Sequence, residues 1–508
     1  MKRILFCAIL IISAVLIRGA CAADITEGNW VYRVESGTAC IRKYNPPGNP
    51  PGILTVPETL GGYPVTEISG YAFSNWRQLP DWKTEEMPGS KVVILPDTIR
   101  SIKPNAFDFD ETEEIRIENS EYYETVDGVL FERKTRTLAA YPLGKKDASY
   151  TIPEGTLAIA AEAFRPAKYL RQVTVAGSVQ SIQKDAFKVF RLHLVLPESV
   201  SGIEEGAVIW AERFTSASPR YQVINGMLID MEKKTLLSVP DTSVSGETAA
   251  VFEIPEDVEK IGDYALYGVS MRTLILPSTL KSIGKWNNIH QLYSGSLVFP
   301  EGLESIGDYF YVWTLKKIVF PASLKSIGKS CFSQYGSGLE SVVFQEGLVS
   351  IGDDSFCNQE NLKSVVLPQT LKTIGDKRFS HIEPKVFANC PKLEARVIPD
   401  STAEKYCRSK DIPYRYTLEG LWQVSSREAE EMLSLPGAEQ VLIRLDSDTL
   451  ELSYSLHGSE HRETYRIEWK DGRLCMEDGY MKYYYLDSEQ ITLELNQAQL
   501  HLTRAEGS

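Results

Sequence analysis

Apolar residues along most of the chain follow a short pattern that returns about every 22 residues. The stretch LKKIVFPASLKSIGKSCF at 315–332 contains it once: an alternating apolar strand, a proline, a polar turn, a leucine, and isoleucine–glycine. Closely similar strings lie at 274–284 and 362–375. Successive positions from Pro255 to Pro368 are 22, 23, 21, 24 and 23 residues apart. A period of about 20–29 residues is typical of a leucine-rich solenoid, so the pattern predicts one strand-bearing coil per repeat.

Stacking gives each coil a core that it cannot form alone. About 22 residues are too few to bury their own apolar side. Strands stacked at about 4.8 Å bring equivalent residues into contact and build one long core. The proline has no N–H for a strand ladder, and the glycine after isoleucine suits a tight turn. We therefore predict a mainly β solenoid of about a dozen coils. One isoleucine per coil holds the register: Ile102, Ile159, Ile182, Ile203, Ile261, Ile283, Ile306, Ile327, Ile351 and Ile374.

Two longer steps in the first half contain the same insert. The strings YETVDGVLFERKTRTLAAYP at 123–142 and YQVINGMLIDMEKKTLLSVP at 221–240 align at a constant offset of 98 residues. Asp-Gly at 127–128 and Asn-Gly at 225–226 separate apolar runs, and such pairs favour tight hairpin turns. We therefore expect two matching hairpin inserts.

The array also has a distinct end. Residues 401–414 predict a short helix capped by Ser401, and a solenoid needs such a cap to cover its last apolar layer. From about 418 the period stops, and alternating strands predict a small all-β module, a meander or a barrel. Within the array, Gly177 and Gln345 stand at proline positions and Asn-Asn at 287–288 replaces Ala-Phe, which we interpret as drift in single coils.

The first 22 residues predict a secretory signal peptide. Lys2 and Arg3 precede an apolar run at 4–17, and small residues lead to a cleavage site after Ala22. The run is too short for a spanning helix, and no second run of about 20 apolar residues follows. We therefore expect a secreted or cell-surface protein with no transmembrane segment in the mature chain.

Charge and cysteine content exclude some classes of function. The net charge is −14, and a polyanionic surface repels nucleic acid, so no nucleic-acid partner is expected. Sparse, uneven cysteines without a CxxC pair argue against zinc and resemble buried small apolar residues, so mostly free thiols are expected. Cys390 and Cys407 are the pair to test for a disulfide. The cysteines after the signal peptide are Cys40, Cys331, Cys357, Cys390, Cys407 and Cys475.

The chain contains no recognisable catalytic motif. HExxH, GxSxG, phosphate-loop and GxGxxG sequences are absent from it. His457 and His461 are four residues apart, but they lie in a strand–turn segment where that spacing does not converge on a metal. We therefore expect no enzyme activity, no cofactor and no metal site, and a hydrolase built from residues distant in sequence stays an alternative.

One position of the coil carries the candidate contact residues. Tyr264, Trp286 and Tyr309 occupy the position three residues after the register isoleucine in three consecutive coils. Other coils place polar residues there, which indicates that the position faces solvent. Stacked rings in a row would suit sugar rings or a protein partner, whereas the simpler alternative is that they cover a coil edge and pack on each other. Trp76 and Trp82 form a second candidate surface. The polar residues at the equivalent position are Asn105, Glu162, Asp185, Ser330, Asp354 and Lys377.

The sequence over about 28–415 resembles the BspA-like leucine-rich repeat family. The shared features are LPxxLxSIGxxxF, GGYPVTEISGYAF in the first coil, the DGVLF and NGMLI hairpins, and DSTAEKYCRSKDIPY at the end. The resemblance implies a secreted or surface-attached protein, and some members are adhesins toward host or matrix proteins. Gly420 and Trp422 with the closing LHLTR are similar to lipocalin-like bacterial modules.

These observations predict three segments: a signal peptide at 1–22, a solenoid at 23–415 and a small all-β module at 416–508. The first functional hypothesis is a non-catalytic, adhesin-like scaffold that binds a protein or glycan partner. The second is that the C-terminal module binds a small apolar ligand, and the third is the unrecognised hydrolase.

Overall fold

A computed structural model confirms the fold class: the chain is mainly β, with a solenoid followed by an antiparallel module. Contacts divide it into two compact units, residues 1–228 (unit 1) and 229–508 (unit 2). The predicted signal peptide lies outside the described residues, and the predicted segment boundaries stay predictions. The structure describes residues 23–46, 50–73, 76–78, 84–86, 89–107, 111–165, 167–241, 251–333, 338–375, 385–417, 420–424, 438–445, 449–456, 459–470, 473–476, 479–487, 490–495 and 498–504.

In unit 1 most coils contribute one strand that ends at the register isoleucine and one longer strand of alternating apolar residues. The first kind comprises Tyr63–Ile68, Ser101–Ile102, Ala158–Ile159, Ser181–Ile182 and Gly202–Ile203. The second kind comprises Ile53–Thr55, Val92–Leu95, Glu114–Ile117, Ser149–Thr151, Gln172–Thr174, Phe187–Leu196 and Val208–Ser216. The other strands of this unit are Ile25–Glu27, Trp30–Glu35, Thr38–Tyr44, Thr59–Leu60, Trp76–Gln78, Thr84–Glu86, Tyr123–Val126, Val129–Glu132, Thr137–Ala140 and Tyr221–Ile224. The strand Met227–Asp230 contains the division between the units.

Unit 2 repeats the same coil with a more regular step. Its short strands are Thr235–Ser238, Lys260–Ile261, Ser282–Ile283, Ser305–Ile306, Ser326–Ile327, Ser350–Ile351 and Thr373–Ile374. Its longer strands are Val251–Glu253, Thr273–Ile275, Lys317–Phe320, Ser341–Phe344, Ser364–Val366, Glu394–Val397 and Tyr414–Tyr416. A third set consists of Val269–Met271, Asn288–Leu292 and Tyr311–Val312. Each register isoleucine from Ile261 to Ile374 pairs in parallel with that of the next coil, as the sequence predicts.

Stacked aromatic side chains fill the core beside the isoleucines. In unit 2 the rings of Phe332 and Phe356 lie 5.3 Å apart and those of Phe356 and Phe387 lie 5.6 Å apart, all buried. In unit 1 Phe164 stacks on Phe187 at 4.9 Å in the same way. In coils that close with an aromatic residue, that residue is therefore also a contact between coils.

The glycine after the register isoleucine is explained by close contact with the preceding coil, and not by the tight turn that the sequence suggested. A Cβ on Gly307 would lie 2.8 Å from the carbonyl carbon of Gly284 and 2.9 Å from the nitrogen of Lys285. A Cβ on Gly352 would lie 2.5 Å from the carbonyl carbon of Gly328. Successive coils therefore approach backbone to backbone at this point, and a side chain has no room.

The hairpin inserts begin where the isoleucine ladder stops. Asp127 and Gly128 both have positive φ (53° and 74°), the geometry of the predicted tight turn, and the flanking strands pair antiparallel. Ser101–Ile102 is the last strand of its ladder, so the Ile102 N–H has no acceptor in a following coil. The Tyr123 hydroxyl accepts this N–H at 3.1 Å. The equivalent Tyr221 hydroxyl accepts the N–H of the register isoleucine at 203, at 2.9 Å. The first tyrosine of each insert thus satisfies a backbone donor that would otherwise be orphaned.

The turn after each longer strand corrects one detail of the sequence alignment. The carbonyl of Pro277 accepts the N–H of Leu280 at 3.2 Å, and other coils repeat this bond. In the coil of Ile182 the acceptor is the carbonyl of Ala176, which receives the Val179 N–H at 3.1 Å. Ala176, rather than Gly177, therefore stands at the proline position.

The predicted cap at the end of the array is confirmed. A helix spans Thr402–Ser409, and the Ser401 side chain accepts the Glu404 N–H at 3.1 Å. The Glu404 carboxylate is 4% exposed and accepts four hydrogen bonds. Its donors are the Asp400 N–H (2.6 Å), Arg408 (2.7 Å), the Tyr416 hydroxyl (3.0 Å) and the Tyr414 hydroxyl (3.2 Å).

The C-terminal module is one nine-stranded antiparallel sheet. Its edge strands, Ser459–Arg466 and Glu468–Lys470, are joined by the single buried residue Ile467. Because consecutive Cα atoms are about 3.8 Å apart, a one-residue connection holds the two edge strands close together where they join. The sheet is therefore rolled up. Trp422 is fully buried in the module. Binding of a small apolar ligand by the module stays a prediction. The remaining strands are Gly420–Val424, Ala438–Leu445, Thr449–Leu456, Arg473–Met476, Gly479–Asp487, Gln490–Leu495 and Ala498–Arg504.

The cysteines whose side chains are described carry free thiols, as the sequence predicts. Cys390 and Cys407 do not form a disulfide, and the Cys390 thiol donates to the Phe356 carbonyl at 3.2 Å. Burial raises the pKa of Cys331 and of Cys407 to about 12. These thiols therefore behave as small core residues.

Candidate binding surface

The position three residues after the register isoleucine has one backbone conformation in all the coils where the structure describes it. Residues there have φ between 53° and 77°, the left-handed region that asparagine, aspartate and glycine tolerate best. Its occupants are Tyr71, Asn105, Glu162, Asp185, Gly206, Tyr264, Trp286, Tyr309, Ser330 and Asp354. Tyr264, Trp286 and Tyr309 therefore have a backbone conformation that is unusual for residues with bulky side chains. The sixth polar residue predicted at this position, Lys377, lies outside the described residues.

Tyr264, Trp286 and Tyr309 form a continuous stack, called here the aromatic stack. The rings of Tyr264 and Trp286 are 6.0 Å apart and inclined by 10°, and those of Trp286 and Tyr309 are 4.0 Å apart and inclined by 15°. Trp286 is 37% exposed, and the two tyrosines are half-buried. The sequence placed the three residues together correctly, while their role in binding stays a prediction.

Stacking leaves the ring edges as the accessible part of the surface. A tyrosine ring flanks Trp286 on each side, and Tyr267 packs at 5.5 Å from Tyr264. The backbone continues the ladder underneath, since the Trp286 N–H donates to the backbone carbonyl of Asp308 and the Tyr309 N–H donates to that of Lys329. The stack therefore offers mainly ring edges around Trp286, and the next coil after Tyr309 has the small Ser330 at the same position.

Charged residues alternate along the row next to the stack. The residue before each stacked ring is Asp263, Lys285 or Asp308, and the next two coils continue with Lys329 and Asp353. Each aspartate accepts the backbone N–H of the lysine one coil further, at 2.7–2.8 Å for Asp263 and Asp308. The Asp308 carboxylate, 3.0 Å from the Lys285 ammonium, raises the pKa of Lys285 by hydrogen bonding. The aromatic stack thus runs beside a row of mixed charge.

Further aromatic residues lie on the same coils, and sequence reasoning missed them. His290 lies on the strand Asn288–Leu292 and Trp313 directly follows the strand Tyr311–Val312; both are exposed, with ring centroids 6.4 Å apart. Tyr293 is exposed nearby in the chain. In unit 1 Phe190 stacks on Trp210 at 4.2 Å. Trp210, His290 and Trp313 each lie seven residues after the register isoleucine of their coil, so a repeat alignment carried to this position would have brought them together. Phe190 lies eight residues after Ile182, because a β-bulge shifts its strand.

The second candidate surface is only partly described. The strand Trp76–Gln78 pairs antiparallel with Thr84–Glu86, and Trp82 lies outside the described residues. The part of the chain that the structure describes contains no group of three His, Cys, Asp or Glu residues placed to hold a metal ion. His461 stacks on Tyr454 at 5.0 Å, and His457 is not among the described residues.

A family model described as "BspA type Leucine rich repeat region" matches six copies, at residues 144–218, 238–287 and 290–407. No curated protein matches the chain. The pneumococcal vaccine antigen PcpA is a structural neighbour at 16% identity and a TM-score of 0.43, covering 78% of this chain and 99% of that one.

Two further solved structures are similar. A leucine-rich cell surface protein from Faecalibacterium prausnitzii has 21% identity and a TM-score of 0.39, covering 76% of this chain and 97% of that one. A leucine-rich repeat protein from Bacteroides ovatus has 19% identity and a TM-score of 0.32, covering 78% and 100%. The six matched copies have the period, the register isoleucines and the coil geometry described above. Through these coils, the chain belongs to the BspA-type leucine-rich repeat family.

Proposed function

We propose that the chain is an extracellular, non-catalytic binding scaffold that holds a protein partner on the aromatic stack. The observation that carries this proposal is the row Tyr264–Trp286–Tyr309 in a left-handed backbone conformation. Bulky residues are rare in that conformation, and strained positions persist where function favours them. Tryptophan and tyrosine also dominate the energetically important centres of protein interfaces.

The extracellular location rests on the amino-terminal sequence. A basic start, a 14-residue apolar run and a small-residue cleavage site favour export, with cleavage after Ala22. Among the described residues, no helix is both long and apolar enough to cross a membrane. Members of the family are typically secreted or attached to the cell surface.

A protein partner fits the stack better than a glycan. Sugars bind aromatic side chains through an open ring face, and Trp286 has a tyrosine ring on each side. What remains is a strip of ring edges beside Lys285 and Asp308, which suits the apolar and charged groups of a protein surface. A glycan partner is therefore the alternative that the experiment must separate.

The test compares the purified chain with a variant carrying Tyr264→Asn, Trp286→Asn and Tyr309→Asn. Asparagine occupies the same position at Asn105 with φ of 59°, so the substitutions preserve the backbone. The variant and the parent are applied to an array of extracellular matrix and cell-surface proteins, printed with and without enzymatic deglycosylation. We expect the triple variant to lose binding by about tenfold or more, as for central interface residues.

The matched control is Tyr71→Asn. Tyr71 has the same left-handed position (φ 59°) in unit 1, but it lies outside the aromatic stack. This control should bind like the parent. Equal binding by the triple variant would refute the stack as the contact surface. Binding that disappears on deglycosylation would instead assign the partner to the glycans.

A further inference from the structure

Four consecutive coils of unit 2 carry exposed aliphatic side chains at outward positions, three of them on the longer strands and one in a segment outside the strands. Ile275 and Val319 are each 44% exposed and Val298 is 81% exposed, and Val343 is partly exposed. These four residues, the aliphatic row, belong to four consecutive coils. Their chain neighbours point inward: Leu297 and Phe299 on either side of Val298 are both buried. The row therefore faces away from the core.

Strand formation alone does not require hydrocarbon at this position. In unit 1 the residues equivalent to Ile275 include Thr151 and Thr174, which pair with each other in register. Threonine is β-branched and has the same strand preference as isoleucine and valine, but its hydroxyl meets water. Unit 1 mixes threonine with the partly exposed Ile94 and Val195 at this position, whereas unit 2 places aliphatic residues there in consecutive coils. A contiguous exposed apolar patch of this kind marks a contact surface.

Opposite charges close the two ends of the row. Glu253 pairs in register with Ile275, so it lies one coil before the row, and it is exposed. At the other end Val343 pairs with Val366, which is buried, and Val366 pairs with the exposed Arg396. Counting by coils, Glu253 and Arg396 are each three coils from Val319. A two-fold axis along the strand through Val319 therefore places each Glu253 opposite the other copy's Arg396.

We propose that the chain self-associates as a two-fold dimer through the aliphatic row of unit 2. The same axis places Val298 opposite Val343 and Val319 opposite itself, so apolar groups meet apolar groups across the interface. A two-fold interface must be self-complementary in this way, and the acid–base ends satisfy that condition. The proposal does not depend on the aromatic stack, which lies at another position of the coil.

The dimer is expected to be weak. Stable interfaces bury about 800 Å² on each partner, whereas a row of four side chains is nearer the size of the largest patch on an ordinary monomer, about 300–600 Å². The axis also places Lys317, which is exposed in the same strand as Val319, opposite the Lys317 of the second copy. Self-association should therefore depend on concentration, and replacing this lysine by serine should strengthen it.

The experiment is sedimentation velocity of the full purified chain over a wide concentration range. We expect a monomer–dimer equilibrium in the parent chain. Val298→Lys with Val319→Lys should weaken the dimer by about tenfold or more, as expected for the centre of an interface. The control is Thr174→Lys, the same change at an equivalent outward position of unit 1, and it should leave the equilibrium unchanged.

Charge reversal tests the two-fold axis itself. Glu253→Arg alone and Arg396→Glu alone should each weaken the dimer, because each places like charges opposite one another. The combined variant carrying both substitutions should recover the parent equilibrium. A parent chain that stays monomeric at all concentrations would overturn the proposal, and so would a dimer insensitive to the valine substitutions. Failure of the double reversal to recover association would likewise reject the axis.

Discussion

Replacing Glu404 tests how the array is closed at its carboxyl end. The carboxylate accepts hydrogen bonds from Asp400, Arg408, Tyr414 and Tyr416, and it is almost completely buried. Glu404→Ala removes the acceptor and leaves two phenol hydroxyls and a backbone N–H to find new partners. The largely exposed arginine can turn to water without cost, whereas the half-buried hydroxyls of Tyr414 and Tyr416 and the Asp400 N–H can reach water only in part.

The magnitude follows from those contacts. Leaving a buried donor without a partner costs about 1–3 kcal/mol, and the largely exposed Arg408 adds under about 1 kcal/mol. Three orphaned donors that can relax in part give about 3 kcal/mol for Glu404→Ala. For a unit of this size that corresponds to about 6–12 °C in melting temperature. The Glu404→Gln variant keeps the shape and some acceptors, so its loss should be smaller.

Hydrogen exchange is the appropriate assay because a solenoid can lose its end without unfolding as a whole. In Glu404→Ala we expect faster exchange in the helix Thr402–Ser409 and the strand Glu394–Val397, together with the lower melting temperature. Glu394→Ala is the matched control, since Glu394 forms an exposed ion pair with Arg415 at 2.7 Å worth less than about 1 kcal/mol. If Glu404→Ala is no more destabilising than Glu394→Ala, the capping argument is wrong.

Three further predictions follow from single contacts. Gly307→Ala should lower the melting temperature, because its Cβ would meet the preceding coil's backbone at 2.8 Å, whereas Gly52→Ala, with no atom within 4 Å, should not. Tyr123→Phe should cost about 1–2 kcal/mol in urea unfolding by orphaning a backbone N–H, and the exposed Tyr122→Phe should be neutral. The Cys331 thiol should resist alkylation at pH 8 in the native chain, since burial raises its pKa to about 12 and thiolate is the reactive form. Because that pKa exceeds the unfolded value, the neutral thiol's contribution to stability is complete at pH 8 and is lost only as pH rises toward 12. Mass spectrometry should show modification of this cysteine only after denaturant is added.

Much of the solenoid could be predicted because each coil repeats the same physical problem. The register isoleucines and closing phenylalanines recur at fixed offsets, so one correct coil predicts the others. The hairpin at Asp127-Gly128 was equally accessible, since those two residue types favour one turn geometry. In the coils and the hairpin, local residue preferences and the repeat period predict the same structure.

Features that depend on contacts between coils could not be predicted. The close approach at Gly307 looks like an ordinary turn glycine in sequence, because only the neighbouring coil shows why a side chain is excluded. The hydroxyl of Tyr123 reaches an isoleucine N–H 21 residues earlier, and no local pattern indicates that bond. For the aromatic stack, the register brought the three positions together, but the left-handed conformation was hidden by the variety of residues that adopt it.

The left-handed conformation helps to decide whether Tyr264, Trp286 and Tyr309 serve the stability of the fold or binding. A left-handed backbone costs an ordinary residue about 1–2 kcal/mol, and ring stacking returns about 0.5–1.5 kcal/mol per pair. With two stacked pairs for three strained residues, stability alone gives no net reason to prefer these rings over asparagine or aspartate, which other coils use at the same position. This comparison supports the proposal that the rings are favoured for what their exposed edges contact. Consequently the Asn-substituted stack should be at least as stable as the parent while failing to bind, and a large loss of stability would show that the rings serve the fold instead.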